Sequence, residues 1–253
     1  MSLITSPNAG SLTVVLVHGA FADGSSWHRV IERLQKENVQ VTAAANPLRG
    51  PSHDSAYLAS LFNQIPGPVL AVGHSYAGAV ISNAASIATN VVGLVFVAAF
   101  APDEGERLSD VAGTSKDSIL GTTLVPIHYP TGQGNETAVE FAVNPAQFQQ
   151  AFAADLSAAQ AALLSATQRP VAELAFSEPC GAAAWKTLPS WAVVATQDKA
   201  AGTDVVRSNA QRAGATITEV EGSHVIMISQ PQAVTDVILT AIAAIAKPVV
   251  ERR

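Results

Sequence analysis

Residues 69–78 read VLAVGHSYAG, and this stretch decides the fold that the sequence predicts. The four apolar residues at 69–72 are typical of a buried strand, and the segment 76–87 is typical of a helix. Between the two, Ser75 falls in a sharp turn. A strand, a sharp turn that carries a serine, and a helix together indicate a nucleophilic serine presented at the end of a strand.

The residues around this serine are small for a steric reason. Strand and helix must approach each other closely while the serine holds a strained backbone conformation. Gly73 meets this need before the serine, but Ala77 stands where the usual pattern G-x-S-x-G has its second glycine. Gly78 comes directly afterwards and can relieve crowding. We therefore expect Ala77 to shift the helix slightly and to leave a working site.

Apolar runs alternate with helix-like segments on both sides of this stretch. The predicted strands are residues 13–17, 39–44, 69–72, 92–99, 190–195 and 216–220. The predicted helices are residues 26–37, with Ser26 as N-cap, and residues 54–65, 76–87, 204–213 and 232–245. Strands without polar alternation, separated by helices, predict a mostly parallel sheet covered on both faces. This is a doubly wound α/β architecture, in which ligands bind at the carboxyl ends of the strands.

The alternation stops between about residues 102 and 188. The Gly-, Thr- and Pro-rich stretch at 121–136 predicts loops, and the Ala-, Gln- and Phe-rich segments after it predict helices. We therefore predict a core formed by residues 1–104 and 188–253, with a mainly helical cap insertion at residues 105–187.

Composition limits the kind of protein this can be. The chain has 253 residues, of which 13% are charged and 48% hydrophobic, as in a globular protein with a large core. Its formal charge of −6 argues against nucleic acid or an anionic membrane as a partner. The single cysteine cannot form an internal disulfide, no secretory signal is visible, and the apolar runs are too short to span a bilayer. We expect a soluble, cytoplasmic monomer or homodimer.

A serine nucleophile needs a base within hydrogen-bond reach and a group that orients the base. His224 follows the last predicted strand, at the same edge of the sheet as Ser75, and is the predicted base. Asp198 follows the strand before it and is the predicted acid. Asp103 and Glu104, which follow an earlier strand, are the alternative acids.

The negative charge that develops on a carbonyl oxygen during acyl transfer needs backbone N–H donors. We predict that Tyr76, the residue after the serine, provides one of them. The loop after the first strand should provide the other, with Ala20 as first choice and Phe21 as second. His18 in that loop and His74 beside the serine are predicted to make packing or structural hydrogen-bond contacts.

Four segments resemble the α/β-hydrolase family, in particular bacterial relatives of the salicylate methyl-esterase and hydroxynitrile-lyase group. These segments are LVHGAFADGSSW (16–27), VGHSYAGAV (72–80), VATQDKA (194–200) and VEGSHVIMISQP (220–231). The resemblance covers nearly the whole chain except the insertion, which matches no motif. It implies an α/β-hydrolase fold.

The resemblance also implies a Ser75–His224–Asp198 triad and hydrolysis of a small carboxylic ester without cofactor or metal. The chain departs from the family pattern at Ala77. It departs again at residues 199–204 (KAAGTD), where relatives often carry Ile-Pro-Pro. The second departure concerns the rim of the site and therefore the substrate preference.

Other activities of the same fold stay open. Lactonases and C–C bond hydrolases use the same triad, and a slow ligand receptor can retain it. A hydroxynitrile lyase is less favoured because Val225 stands where such lyases typically carry lysine. The substrate pocket should come from the insertion and its surroundings. Aromatic residues are its candidates, although they also suit the core of the cap: Trp27, Phe141, Phe148, Phe152, Phe176 and Trp185.

Overall fold

The order of elements along the chain is that of a parallel α/β sheet with an insertion. The computed structural model describes residues 10–246, so residues 1–9 and 247–253 of the predicted core lie outside the described part. The strands of the described part are β1 (Thr13–Val17), β2 (Gln40–Ala44), β3 (Val69–His74), β4 (Val91–Val97), β5 (Leu124–Pro130), β6 (Thr137–Val143), β7 (Val171–Ala172), β8 (Ser190–Ala195) and β9 (Thr216–Val220).

Helices connect these strands. They are α1 (His28–Lys36), α2 (Pro51–Gln64), α3 (Ala77–Ile87), α4 (Leu108–Gly113), α5 (Pro145–Phe152), α6 (Ala158–Thr167), α7 (Leu174–Ser177), α8 (Thr203–Arg212), α9 (Ile226–Ser229) and α10 (Pro231–Ile245). Shorter 3-10 turns lie at Gly24–Trp27, Leu120–Thr123 and Ala184–Lys186. Among residues 10–246, no helix is both long enough and apolar enough to cross a membrane.

Six strands form one sheet in the order β2-β1-β3-β4-β8-β9, and all neighbouring pairs are parallel. The chain goes outward from β1 to β2 and then crosses to β3 on the other side of β1. The strand order therefore reverses between β1 and β3. In open α/β sheets the ligand binds beyond the carboxyl ends of the strands at such a reversal. The doubly wound parallel sheet that the sequence predicts is confirmed.

Burial explains which strands are central. Every residue of β1, β3 and β8 is buried, as expected for apolar strands covered on both faces. The edge strands β2 and β9 instead alternate between more and less exposed residues along most of their length. The central strands carry the loops that converge on the reversal point, so the best-buried part of the sheet positions the site.

The insertion contains a sheet that the sequence analysis missed. Strands β5, β6 and β7 form an antiparallel sheet in that order. The stretch predicted as loops at 121–136 is therefore wrong over β5. Its prolines, Pro126 and Pro130, suggested a loop, but β5 is an edge strand, where proline is tolerated. The region thus combines helices with a sheet, and its boundaries at 105 and 187 stay a prediction.

Two local predictions also need correction. Ser26 is not a helix cap: the side chain of Asp23 accepts from the N–H of Ser25 and caps the 3-10 turn, and α1 begins only at His28. Strand β4 ends at Val97, because Ala98 has a positive φ of 45° that an extended strand does not allow. The short helix α9 was not predicted at all.

Candidate active site

Ser75 occupies the turn between β3 and α3 with a φ of 56°, in the left-handed region that non-glycine residues seldom adopt. Its N–H donates to the Val97 carbonyl at 3.2 Å, and its carbonyl accepts from the N–H of Phe100 at 3.2 Å. The end of β4 and the loop after it therefore hold both sides of the strained residue. Such a strained conformation persists only where the surrounding structure enforces it. Conformations of this kind cluster at functional sites.

Close backbone contacts explain the glycines around Ser75. A Cβ atom at Gly73 would lie 2.7 Å from the Ala77 carbonyl oxygen, and one at Gly78 would lie 2.1 Å from the Phe100 carbonyl oxygen. Ala77 itself is completely buried at the start of α3. Glycine is thus needed at position 78, directly after the alanine. Whether Ala77 displaces the helix stays a prediction.

His224 and Asp198 meet at the same edge of the sheet. The Nδ1 atom of His224 lies 2.8 Å from Oδ2 of Asp198, and both side chains are almost completely buried. The other carboxylate oxygen accepts from the N–H groups of Ala200 at 2.8 Å and Ala201 at 3.0 Å. The carboxylate is therefore fixed by its own loop and directed at the imidazole. This network assigns the proton to Nδ1 and leaves Nε2 of His224 as an acceptor.

His74 holds the backbone beside this pair. Its Nε2–H donates to the His224 carbonyl at 3.0 Å, and the two imidazole centroids are 4.6 Å apart. Burial, together with the neighbouring His224, lowers the pKa of His74 well below its ordinary value, so the ring stays neutral. His224 therefore lies next to the residue that precedes Ser75. Within residues 10–246, however, no hydrogen bond joins Ser75 Oγ to His224.

Ser75 opens into a cavity of about 410 Å³, a size typical of small-molecule sites. The core side of the cavity includes Ala20, Phe21, Ser75 and Tyr76. One wall of the cavity comes from the insertion and is lined by Ser115, Ser118, Ile119, Leu120, Gly121 and Thr122. Among the described residues that line it, none is charged.

The predicted oxyanion donors have no hydrogen-bond acceptor of their own within residues 10–246. Ala20, Phe21 and Tyr76 line the cavity, and their N–H groups make no hydrogen bond within the described chain. His18 fixes the loop that contains the first two: its Nδ1–H donates to the Gly19 carbonyl at 3.0 Å, and its Nε2 accepts from the N–H of Asn46 at 3.0 Å. Burial lowers the pKa of His18 and keeps it neutral.

A buried carboxylate that the sequence analysis missed positions Tyr76. The Tyr76 hydroxyl donates to Oδ2 of Asp54 at 2.8 Å, and Asp54 also accepts from the N–H of Arg49 at 3.0 Å. Burial, followed by the nearby Asp54 carboxylate, raises the pKa of Tyr76 well above its ordinary value. The phenol therefore stays protonated and anchors a residue that lines the cavity. Asp54 is the fourth residue of α2, where nothing in the sequence pattern distinguishes it from a helix-capping acid.

Most of the predicted pocket aromatics lie elsewhere. Of the six, the structure places only Phe176 at the cavity. Phe152 packs against the predicted base, with its ring centroid 4.9 Å from that of His224, and Phe148 packs against Phe152 at 5.1 Å. Phe152 therefore packs directly on the predicted base, and Phe148 packs on Phe152.

The other three aromatic residues have structural contacts. Trp27 is buried in an edge-to-face contact with His74, and Phe141 belongs to β6 of the insertion sheet. Trp185 donates its Nε1–H to the Pro102 carbonyl at 3.0 Å. The predicted pocket residues are all aromatic, whereas most of the wall residues are small or carry a hydroxyl group. Of the wall residues, Gly121 and Thr122 lie in the stretch whose composition predicts loops, and no sequence signal distinguished the others.

The alternative acids do not contact the base. Asp103 pairs with the Lys186 ammonium group at 2.5 Å and accepts from the N–H of Glu104 at 2.6 Å. Glu104 itself is exposed. Of the acids considered, Asp198 alone has its carboxylate at the His224 imidazole. No cluster of potential metal ligands occurs in the described part of the chain.

Comparison with known proteins identifies the family of this chain. The model of the alpha/beta hydrolase family matches residues 14–237. The chain therefore belongs to the α/β-hydrolase family, and the family resemblance that the sequence motifs predict is confirmed.

The individual similar proteins share low sequence identity with this chain or match only part of it. Lipase LipV of Mycobacterium tuberculosis (strain ATCC 25618 / H37Rv) is 31% identical over 112 residues, which is 41% of this chain and 43% of that lipase. Polyneuridine aldehyde esterase has a similar structure, with a TM-score of 0.77 and 20% identity over 92% of this chain and 99% of that one. An extracellular alpha/beta-hydrolase from a Paenibacillus species, described as a structural and functional homologue of tobacco salicylic acid binding protein 2, gives a TM-score of 0.71 and 20% identity over 91% and 98%.

Proposed function

We propose that the protein is a serine carboxylesterase-type hydrolase that cleaves small, uncharged carboxylic esters through an acyl-enzyme intermediate. One observation carries the proposal: a strained serine opens into an uncharged cavity lined by residues with unpaired N–H groups, and a histidine oriented by a buried aspartate contacts the residue that precedes the serine. The esterase and lipase among the similar proteins support the same reaction class.

In the proposed mechanism, His224 Nε2 takes the proton of Ser75 as Oγ attacks the ester carbonyl. Since no hydrogen bond joins these groups in the structure, substrate binding must bring them into line, as often happens at catalytic hydrogen bonds. Asp198 keeps the proton on Nδ1 and stabilises the imidazolium that forms. His224 then gives its proton to the leaving alkoxide, and the acyl group stays on Ser75.

The second half of the reaction repeats the first with water in place of the serine. His224 removes a proton from water, the hydroxide attacks the acyl-enzyme, and the acid is released as Ser75 regains its proton. The N–H groups of Ala20 and Tyr76 stabilise the oxyanion in both halves. Removal of one such donor typically lowers the rate about 100- to 1000-fold.

The lining of the cavity supports a neutral substrate. A carboxylate on the substrate would lose its hydration there without gaining a cationic partner, which is strongly unfavourable. The wall hydroxyls are already committed: Ser118 Oγ donates to the Ala200 carbonyl at 2.5 Å, and Thr122 Oγ1 donates to the Ile119 carbonyl at 2.8 Å. The wall therefore offers an apolar surface with few free donors.

A panel of p-nitrophenyl esters with acyl chains of rising length tests this proposal. We expect wild type to hydrolyse them and Ser75→Ala to lose at least about 1000-fold in kcat. Ser109→Ala is the matched control, because Ser109 lines the same cavity from α4 but lies outside the turn after β3. A fluorophosphonate probe should label wild type at Ser75 and leave the Ser75→Ala variant unlabelled.

The panel also separates the alternatives. A γ-lactone and a β-diketone in the same assay report lactonase and C–C bond hydrolase activity. If wild type and Ser75→Ala hydrolyse every compound equally slowly, the serine-hydrolase proposal is wrong. If only the lactone or the diketone is turned over in a Ser75-dependent way, the nucleophile stands and the ester as substrate class is wrong.

A further inference from the structure

Residues 115–122 belong to the insertion and line the same cavity as the proposed nucleophile; we call this segment the cavity wall. This short segment supplies six of the residues that line the cavity. It belongs to no strand and includes only part of one 3-10 turn, Leu120–Thr123. Its position must therefore be fixed by contacts with other parts of the chain.

Asp204, in the first turn of α8, makes the most extensive of these contacts. Its Oδ1 accepts from Ser115 Oγ at 2.6 Å, and its Oδ2 accepts from the N–H of Lys116 at 2.8 Å. Its own N–H donates to Oδ2 of Asp117 at 3.1 Å. One residue of the core thus holds three consecutive residues at the start of the cavity wall. Burial opposes ionisation of Asp204, but the hydrogen bonds that its carboxylate accepts, from Lys116, Ser115 and the N–H of Val205, outweigh burial and lower its pKa.

The Ser115 hydroxyl passes this restraint along the wall. While it donates to Asp204, its oxygen accepts from the N–H groups of Asp117 at 3.1 Å and Ser118 at 3.0 Å. Beyond this turn, the N–H of Ile119 donates to the Lys199 carbonyl at 2.9 Å. The wall therefore lies along residues 199–204, and Asp204 fixes its first turn.

The loop at residues 199–204 also binds the Asp198 carboxylate. The N–H groups of Ala200 and Ala201 bind the Asp198 carboxylate, whereas the carbonyls of Lys199 and Ala200 bind the cavity wall. Asp198 is thus oriented by bonds that do not involve Asp204. Removing the Asp204 carboxylate should loosen the wall and leave the predicted acid in place.

Gly202 makes the close approach feasible. It has a φ of +91°, and a Cβ atom there would lie 2.0 Å from Ser115 Oγ and 2.9 Å from Asp204 Oδ1. A side chain at this position would separate Ser115 from Asp204. Gly202 and Asp204 both belong to residues 199–204, where the sequence departs from the pattern of its relatives.

We propose that Asp204 is a specificity-determining positioning residue that sets the shape of the substrate cavity through Ser115 and the N–H of Lys116. The inference rests on the proposed esterase function, because the cavity is taken as the acyl-binding site. Asp204 contacts no substrate in this proposal. It decides which acyl groups fit by fixing the cavity wall.

The test measures kcat and KM for p-nitrophenyl acetate, butyrate, hexanoate and octanoate in wild type, Asp204→Ala, Asp204→Asn and Ser115→Ala. We expect the ratio of kcat/KM between the longest and shortest esters to change at least about threefold in Asp204→Ala, through KM, with a smaller change in Asp204→Asn. The double variant Asp204→Ala/Ser115→Ala should change the logarithm of this ratio by less than the sum of the two single changes. The reason is that both substitutions remove the same contact. Asp236→Ala, an exposed acid on α10, is the control that should keep the wild-type ratio.

Three outcomes would overturn the inference. The first is an unchanged acyl preference in all three variants, even if their melting temperatures fall, because the role of Asp204 would then be structural only. The second is an equal loss of kcat for every ester, which would mean that Asp204 acts through Asp198. The third is additive effects of Asp204→Ala and Ser115→Ala. Each requires wild-type turnover that depends on Ser75; if that is missing, the proposed function itself has failed.

Discussion

The parallel sheet and the insertion hold their functional residues in different ways. In the sheet, fully buried strands β1 and β3 deliver Ala20 and Ser75 to one edge. Backbone bonds fix the turn at Ser75, and the His18 side chain fixes the loop at Ala20. In the insertion, β5 has exposed apolar side chains such as Val125, and side-chain contacts with the core fix the segments near the site. Sheet residues should therefore control the chemical step, and insertion residues should control which substrate reaches it.

The largest expected effect belongs to the core. Asp198→Asn keeps the shape of the side chain but loses the charge that stabilises the imidazolium and selects the His224 tautomer. We expect kcat to fall about 1000- to 10,000-fold, as for similar triads, with KM changed little. Steady-state kinetics on p-nitrophenyl butyrate measures this.

Asp103→Asn is the matched control for that substitution. Asp103 also follows a core strand, but its carboxylate pairs with Lys186 and not with His224. We expect its kcat/KM to stay within about twofold of wild type, because exposed ion pairs contribute little. A large loss in Asp103→Asn together with near-normal activity in Asp198→Asn would exchange the two acids and contradict our assignment.

A second prediction concerns an insertion residue that should behave like a core residue. Asp155, in the loop between α5 and α6, accepts from the N–H of Ser223 at 2.9 Å and also from the Ser223 hydroxyl. Ser223 directly precedes His224. We expect Asp155→Ala to lower kcat about 10- to 100-fold, because a displaced base costs rate even when the substrate binds normally.

The control for Asp155 is Glu136→Ala, another exposed acid of the insertion, in the turn between β5 and β6. It should leave both kinetic constants unchanged. If Asp155→Ala raises KM and leaves kcat intact, the insertion acts on substrate binding alone. The division between chemistry in the core and selection in the insertion would then be sharper than we expect.

The same difference explains what the sequence could predict. Ser75, Asp198 and His224 each follow a strand of the parallel sheet, and because parallel strands end at a common edge, sequence order alone predicted that they share this edge. No comparable rule exists for the insertion. Asp204 and Asp155 act through contacts with residues 89 and 68 positions away, and these partners depend on packing that periodicity does not describe. Phe148 and Phe152 looked like pocket residues because bulk and apolarity do not distinguish a pocket from the support of His224.

The smallest expected effect is on stability. Acid should destabilise the core at a higher pH than it weakens the contacts of the insertion. The folded-state pKa values of His18 and His74 in the core are lowered by burial, so the unfolded chain binds protons that the folded chain does not. The free energy of unfolding should therefore fall as pH drops below about 6.5, by up to about 1.4 kcal/mol per pH unit for each histidine. The contacts of the insertion through Asp204 and Glu106 should persist to lower pH, because the folded-state pKa values of both carboxyl groups are depressed.

Urea unfolding from about pH 7 to about pH 5 measures this in wild type, His74→Gln and His28→Gln. His74→Gln cannot take up the proton, and its amide can still donate to the His224 carbonyl, so its stability should depend on pH less steeply than that of wild type. His28 is exposed on α1, and its replacement should leave the wild-type slope. Equal slopes in all three proteins would mean that the acid sensitivity does not come from His74, and that the core and the insertion are not separated by pH in this way.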